Sequence, residues 1–260
     1  MITRDRVTYA KRCLSGLLLA GLDVHIVDHG STYEPMLNWL GGVAGQVDDD
    51  PPQRIHVHWK PDAHPRDIWA NGTVASIVHP SQRYIVTDCD VVTPDNLAWL
   101  GTLHLLLDAR PDVVKAGCGL VTEDLPDHYE HAERVRTWES NYQSAARLRT
   151  ALIVRTVPGA GEIVRVPYFE ASVDTTLAMY PPLATVPDGS AIDPAVRTAA
   201  ADLRARHLPW YEDSANESDE LRYYREHAVP GISMWLDPDG HVDHRPGRMP
   251  TTLTTEVVDS

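Results

Sequence analysis

Two carboxylates separated by one residue, Asp88 and Asp90, directly follow the apolar run Tyr84-Ile85-Val86-Thr87. In extended backbone, residues i and i+2 point to the same side, so both carboxylates can face one site while Cys89 faces the interior. With ordinary pKa values near ~4 they are ionised at neutral pH. Held together at a strand end, they repel unless a cation or a proton lies between them. A hard divalent ion with oxygen ligands, Mn2+ or Mg2+, suits such a pair and could neutralise a diphosphate leaving group. The plainer alternative is a pair of solvated loop carboxylates capping the helix expected from Asn96. Imidazole is acceptable beside carboxylates on Mn2+, and His207, His241 or His244 could complete the shell. Most of the 13 histidines are nonetheless read as exposed or satisfied.

A second set is Asp28-His29-Gly30-Ser31-Thr32, which ends the apolar run Val24-His25-Ile26-Val27. A carboxylate there can accept from a base N–H or a ribose hydroxyl. The same residues also suit a turn that caps a helix beginning near Tyr33, because Ser and Thr are preferred caps.

These groups need elements to position them. Apolar residues at Val7, Ala10, Leu14, Leu17 and Leu18 predict a helix over 7–20 that ends at Gly21. Strands are predicted at 24–27, 55–59, 84–87 and 113–117. Helices are predicted near 33–40, 67–77 and 96–107. Alternating strands and helices imply a mostly parallel sheet with helices on both faces. Ligands of such sheets bind beyond the carboxyl ends of the strands, where Asp28 and Asp88 stand. The second half is less regular, with helices expected over 133–148, 194–206 and 218–226, a strand over 162–169, and loop after Asp237. An oddity is that only Met1 to Thr3 precede the first helix: either the opening strand is very short, or the chain starts late relative to its relatives.

Composition limits the partners. Against 23 Lys and Arg stand 37 Asp and Glu, a net charge of −14, which repels phosphate backbones and argues against a nucleic-acid binder. A hydrophobic content of 43% supports a sizeable core. Three widely spaced cysteines, Cys13, Cys89 and Cys118, suggest neither a disulfide framework nor a zinc cluster, and fit a reducing, cytoplasmic compartment. No run of about 18 apolar residues implies a membrane span.

Taken together, Thr3-Arg4-Asp5-Arg6 with Tyr9 and Arg12, Ile26-Val27-Asp28-His29-Gly30-Ser31-Thr32-Tyr33, Asn71-Gly72 and Asp88-Cys89-Asp90-Val91 resemble a GT-A-fold glycosyltransferase over residues 1 to about 125. Looser resemblance to bacterial and phage-type transferases lies in the segments around Asp124, Trp138, Asp174 and His207-Leu208-Pro209-Trp210-Tyr211. The resemblance implies one GT-A, Rossmann-like domain over 1–260. Its donor half would be about 1–95, its acceptor half about 96–245 and its tail 246–260. It implies transfer of a sugar from a nucleoside-diphosphate sugar, UDP-linked by analogy, to an unknown hydroxyl on a protein, glycan, lipid or small molecule. Thr3, Arg4, Asp5 and Asp28 would contact the nucleotide, and Asn71 would lie near the donor. Asp88 would touch ribose and metal, and Asp90 the metal. Asp174 and Asp124 are the candidates for a base that deprotonates the acceptor.

Three other readings compete. The run from Tyr84 to Thr93 resembles the first motif of haloacid-dehalogenase-type phosphatases, with Asp88 as nucleophile. That motif normally opens its domain, and no late Gly-Asp-x-x-x-Asp follows here. A nucleotidyltransferase would need a Gly-rich phosphate loop near the N-terminus, which the sequence lacks. The third is a non-catalytic module that binds a sugar nucleotide.

Overall fold

A computed structural model describes residues 1–44, 54–60, 65–157, 160–173, 177–185, 193–213 and 215–227. The chain opens on a strand of two residues, β1 (Ile2–Thr3), then α1 (Val7–Leu19), β2 (Val24–Asp28), α2 (Glu34–Ala44) and β3 (Ile55–Trp59). A short α3 (Thr73–Ile77), β4 (Tyr84–Val86), β5 (Val91–Val92), α4 (Ala98–Ala109) and β6 (Lys115–Gly117) follow. The second half holds α5 (Ala132–Ser140), the long hairpin of β7 (Leu148–Val157) and β8 (Ala160–Glu170), β9 (Ala178–Tyr180), β10 (Ala195–Thr198), β11 (Arg206–His207) and α6 (Asp219–His227).

The strands form three sheets: parallel β1-β2-β3, a six-stranded sheet ordered β4-β9-β6-β10-β8-β7, and the antiparallel pair β11-β5. Within the six-stranded sheet only β6 and β10 run parallel; every other pairing is antiparallel. The expected GT-A, Rossmann-like, mostly parallel central sheet is therefore corrected. The alternation of strands and helices was read correctly along the first 117 residues, but β9, supplied from residues 178–180, inserts antiparallel between β4 and β6. The first two sheets meet at a single parallel bridge from Ile2 to Asp88, with the Ile2 amide donating to the Thr87 carbonyl at 2.9 Å.

The main hydrophobic cluster joins α1, α2 and α4 to the strands through Leu14, Leu40, Trp99, Leu103 and Leu106, all buried. A smaller one, with Ile2, Val74, Tyr84 and Tyr180, lies under α3. The helix predicted over 67–77 breaks at Gly72, whose φ of +76° places it in the left-handed region that favours glycine. The predicted helix over 133–148 stops at Ser140, and the one over 194–206 is absent, replaced by β10, a 3-10 turn and β11. Among the described residues no helix is long and apolar enough to cross a membrane.

Candidate functional site

The carboxyl ends of β1, β2 and β4 lie side by side, because β1 pairs with β2 and bridges to Asp88. The ends of those strands and the loops leaving them carry half of the buried polar residues described: Thr3, Asp5, Arg6, Asp28, His29, Ser31, Thr87 and Asp90.

Asp28 and Asp5 are committed to the backbone of this region. Asp28 accepts from the Ser31 hydroxyl and, through Oδ2, from the amides of Gly30 (3.2 Å) and Ser31 (3.0 Å). Asp5 has a φ of +53° and accepts from the amides of Thr32 (2.5 Å) and Tyr33 (2.8 Å), at the entrance to α2. The Ser31 hydroxyl also accepts from the Asp5 amide at 2.9 Å. Two loops that are 26 residues apart are thereby locked together, and the turn reading of Asp28 fits these bonds better than the nucleotide reading. Thr3 pairs with Asp28 in the sheet, and its carbonyl accepts from the His29 amide. Arg4 lies 3.5 Å from the Asp5 carboxylate. Asn71 stands just before α3, where its Oδ1 accepts from the Thr73 amide at 3.0 Å across the turn at Gly72.

Asp90 is buried and takes its counter-charge from protein. The Arg6 guanidinium donates to its Oδ2, and His207 Nε2 stands 3.5 Å from the same oxygen. His207 reaches it because β11 pairs with β5, with His207 opposite Val91, and the Leu208 amide donates to the Asp90 carbonyl at 2.8 Å. Burial by itself raises the Asp90 pKa, but His207 and then Arg6 outweigh it and hold the carboxyl below the ordinary range. Burial works against the charge on Arg6, and Tyr224 and Asp90 overcome it. The Arg6 guanidinium also lies 3.8 Å from the Tyr224 ring centroid and 5.5 Å from that of Tyr9. Glu212, beside Glu220 and Glu217, is pushed up to about 7, chiefly by burial, although Arg6 opposes the shift.

The metal expectation is corrected here. Among the described residues no group of three or more His, Cys, Asp or Glu is gathered so that it could hold a metal ion. Of the expected ligands Asp88, Asp90 and His207, the last two are brought together, but the cation bound to Asp90 is Arg6. Without that centre and without the parallel sheet, metal-dependent glycosyl transfer is not supported. The phosphatase with Asp88 as nucleophile and the sugar-nucleotide module lose their footing with it. Asp124, a proposed base, is bound by Arg206 (2.7 and 3.0 Å) and by the Tyr211 hydroxyl (2.5 Å). These partners outweigh desolvation and lower its pKa, which weakens it as a base. Asp174, His241 and His244 lie outside the described residues. The three cysteines are buried, and burial pushes the Cys89 thiol up to about 12, far from a reactive thiolate.

What remains unsatisfied is informative. Arg6 Nε, Tyr9 Oη, Asp90 Oδ1 and His207 Nδ1 are all buried and have no hydrogen-bond partner among the described residues. Three of them belong to the residues joined at Asp90, and the Tyr9 ring lies 5.5 Å from the Arg6 guanidinium. A small surface cavity of about 50 Å3 lies elsewhere, beneath α3 and among Val27, Ile68, Val74, Ile77 and Val86; its walls are apolar, with few polar groups to orient a ligand. Arg6 and Tyr9 belong to the motif that carries the family resemblance but have no role assigned by it, and nothing local in the sequence marks Glu212, Glu220 or Tyr224. Glu220 contacts Thr8 across 212 residues, a pairing no local pattern signals.

Compared with protein-family models, with curated proteins and with solved structures, the chain matches none.

Proposed function

We propose that this chain is a ligand-binding protein whose site is the polar junction of Arg6, Asp90 and His207, at the carboxyl ends of β1, β2 and β4. The observation that carries the reading is that Arg6, Asp90, His207 and the adjoining Tyr9 hold four buried polar atoms without a hydrogen-bond partner among the described residues. Leaving one such atom unmatched costs about 1–3 kcal/mol, so four around one ion pair point to a partner from outside the chain. The set mixes donor and acceptor: Arg6 Nε donates, Asp90 Oδ1 accepts, and Tyr9 Oη and His207 Nδ1 can do either. Hydroxyl groups also donate and accept. The Arg6 charge is already matched by Asp90, and Glu212 and Glu220 also lie within electrostatic reach of it. An anion gains little from such a field, so the ligand class that fits is a small, hydroxyl-rich molecule without net negative charge.

An imidazole held by a carboxylate can also move protons. Arg6 competes for Asp90 here, which favours binding over proton transfer. A reducing compartment suits three unpaired, buried cysteines.

The test is thermal stabilisation of the full chain by a panel of monosaccharides, polyols and nucleosides, with a UDP-sugar and Mn2+ as further arms. Neutral polyhydroxyl compounds are expected to raise Tm, and Arg6→Lys to remove the rise while the unliganded protein stays folded. Stabilisation by UDP-sugar only in the presence of Mn2+ would overturn the uncharged-ligand reading, as would a panel without any effect.

A further inference from the structure

Helix α6 lies across the same junction and is built unlike the other long helices. Of its nine residues, Asp219–His227, the single buried one is Glu220, and it presents no apolar stripe to the core. The main core cluster draws on α1, α2 and α4 but includes no residue of α6. Its attachments are polar and aromatic. The Glu220 carboxylate accepts from the Thr8 amide at 2.8 and 3.2 Å, filling the cap that α1 lacks from its own sequence. Tyr224 stacks on Arg6. Tyr223 packs on Tyr33 at 4.8 Å between ring centroids, and its hydroxyl donates to Thr32 Oγ1 at 3.0 Å.

We propose that α6 is a lid: it detaches as a unit from the α1 and α2 entrances and so admits ligand to the Arg6–Asp90 junction. This rests on the reading of that junction as a binding site. The physical case is one of unequal attachment. A helix whose one buried side chain is Glu220, attached through that carboxylate, the Tyr223 hydroxyl bond to Thr32 and the aromatic contacts of Tyr223 and Tyr224, opens at far lower cost than α1, which buries Val7, Ala10, Cys13, Leu14 and Leu17. One of these contacts also covers the junction: Tyr224 lies against the Arg6 guanidinium, so access to Arg6 and opening of α6 are one event. Lids are drawn from this weakly held end of the stability range.

Hydrogen exchange followed by mass spectrometry on the full chain, without ligand, tests the lid apart from the site. Amides of 219–227 are expected to exchange at least tenfold faster than those of α1. Tyr224→Ala is expected to speed α6, and the Thr8 amide it caps, by about a further tenfold while leaving the rest of α1 and β2 at wild-type rates. Phenylglyoxal modification of Arg6, mapped by peptide, is expected to accelerate in the same variant. Exchange of α6 as slow as that of α1, or an equal acceleration of α1 and α6 in Tyr224→Ala, would overturn the lid. A negative ligand panel with fast, independent α6 exchange would instead count against the binding site alone.

Discussion

At the scale of single residues, the buried Arg6–Asp90 pair dominates. Desolvating two charges is costly, and their mutual attraction with good hydrogen bonding offsets it. Removing one partner strands the other. Arg6→Ala or Asp90→Ala alone should each destabilise by about 3–5 kcal/mol in urea unfolding, whereas the double variant should cost clearly less than the sum. Additive costs would mean that the two side chains act independently. The sequence singled out Asp90 for its spacing from Asp88 and for following an apolar strand. It could not show that the nearest cation would be a side chain 84 positions earlier. That depends on β1 lying beside β4, which brings the loop after Thr3 against the loop after Thr87.

At the scale of elements, the contrast between two helical glycines separates propensity from packing. Gly16 lies in α1 against the loop after β5, where an added Cβ would run into the Thr93 hydroxyl. Gly41 lies in α2 with nothing within 4 Å of the same position. Gly16→Ala is expected to destabilise by about 1–3 kcal/mol through overpacking, and Gly41→Ala to stabilise by about 0.5–1 kcal/mol through the unfolded chain. Equal effects in chemical denaturation would contradict the packing of α1. Local pattern sufficed for α1, β2, β3 and α4, whose apolar spacing or strand runs are strong, and α6 also formed close to its expected span. It failed over 194–206, an Ala- and Arg-rich stretch with good helix propensity. There Ala195 to Thr198 are buried between β6 and β8, and the ladder outweighs propensity worth only tenths of a kcal/mol per residue.

At the scale of the whole molecule, global stability sums groups with opposed pH dependence. Glu212 sits near 7 when folded, well above an ordinary glutamate. The folded chain keeps a proton that the unfolded chain has released, so this contribution is present below about 4.5 and is lost as pH rises through 7. His25 does the reverse. Burial, followed by His56 and His58, lowers it to about 4, and its Nδ1 lies 2.8 Å from His58 Nε2. The unfolded chain then takes up a proton that the folded one refuses, so stability is present above about 6.5 and is lost as pH falls towards 4. The two slopes oppose each other across the shared window. Relative to wild type, Glu212→Gln should make stability rise more steeply from pH 4.5 to 6.5, and His25→Gln should make it fall over the same range. Unfolding midpoints measured at half-unit pH steps would check both signs.

The sequence by itself determined the local facts: which stretches are apolar strands and helices in the first half, and that Asp28, Asp88 and Asp90 stand at strand ends. These follow from periodicity and breakers within a few residues, and such forces are local. Only the tertiary structure decided strand order, the direction of β9, and the partners of each carboxylate. Strand pairing is decided by which distant segment buries the most surface without stranding backbone polar groups, and no short window contains that information. The same short motif can hold a metal or a guanidinium; here the fold delivers Arg6.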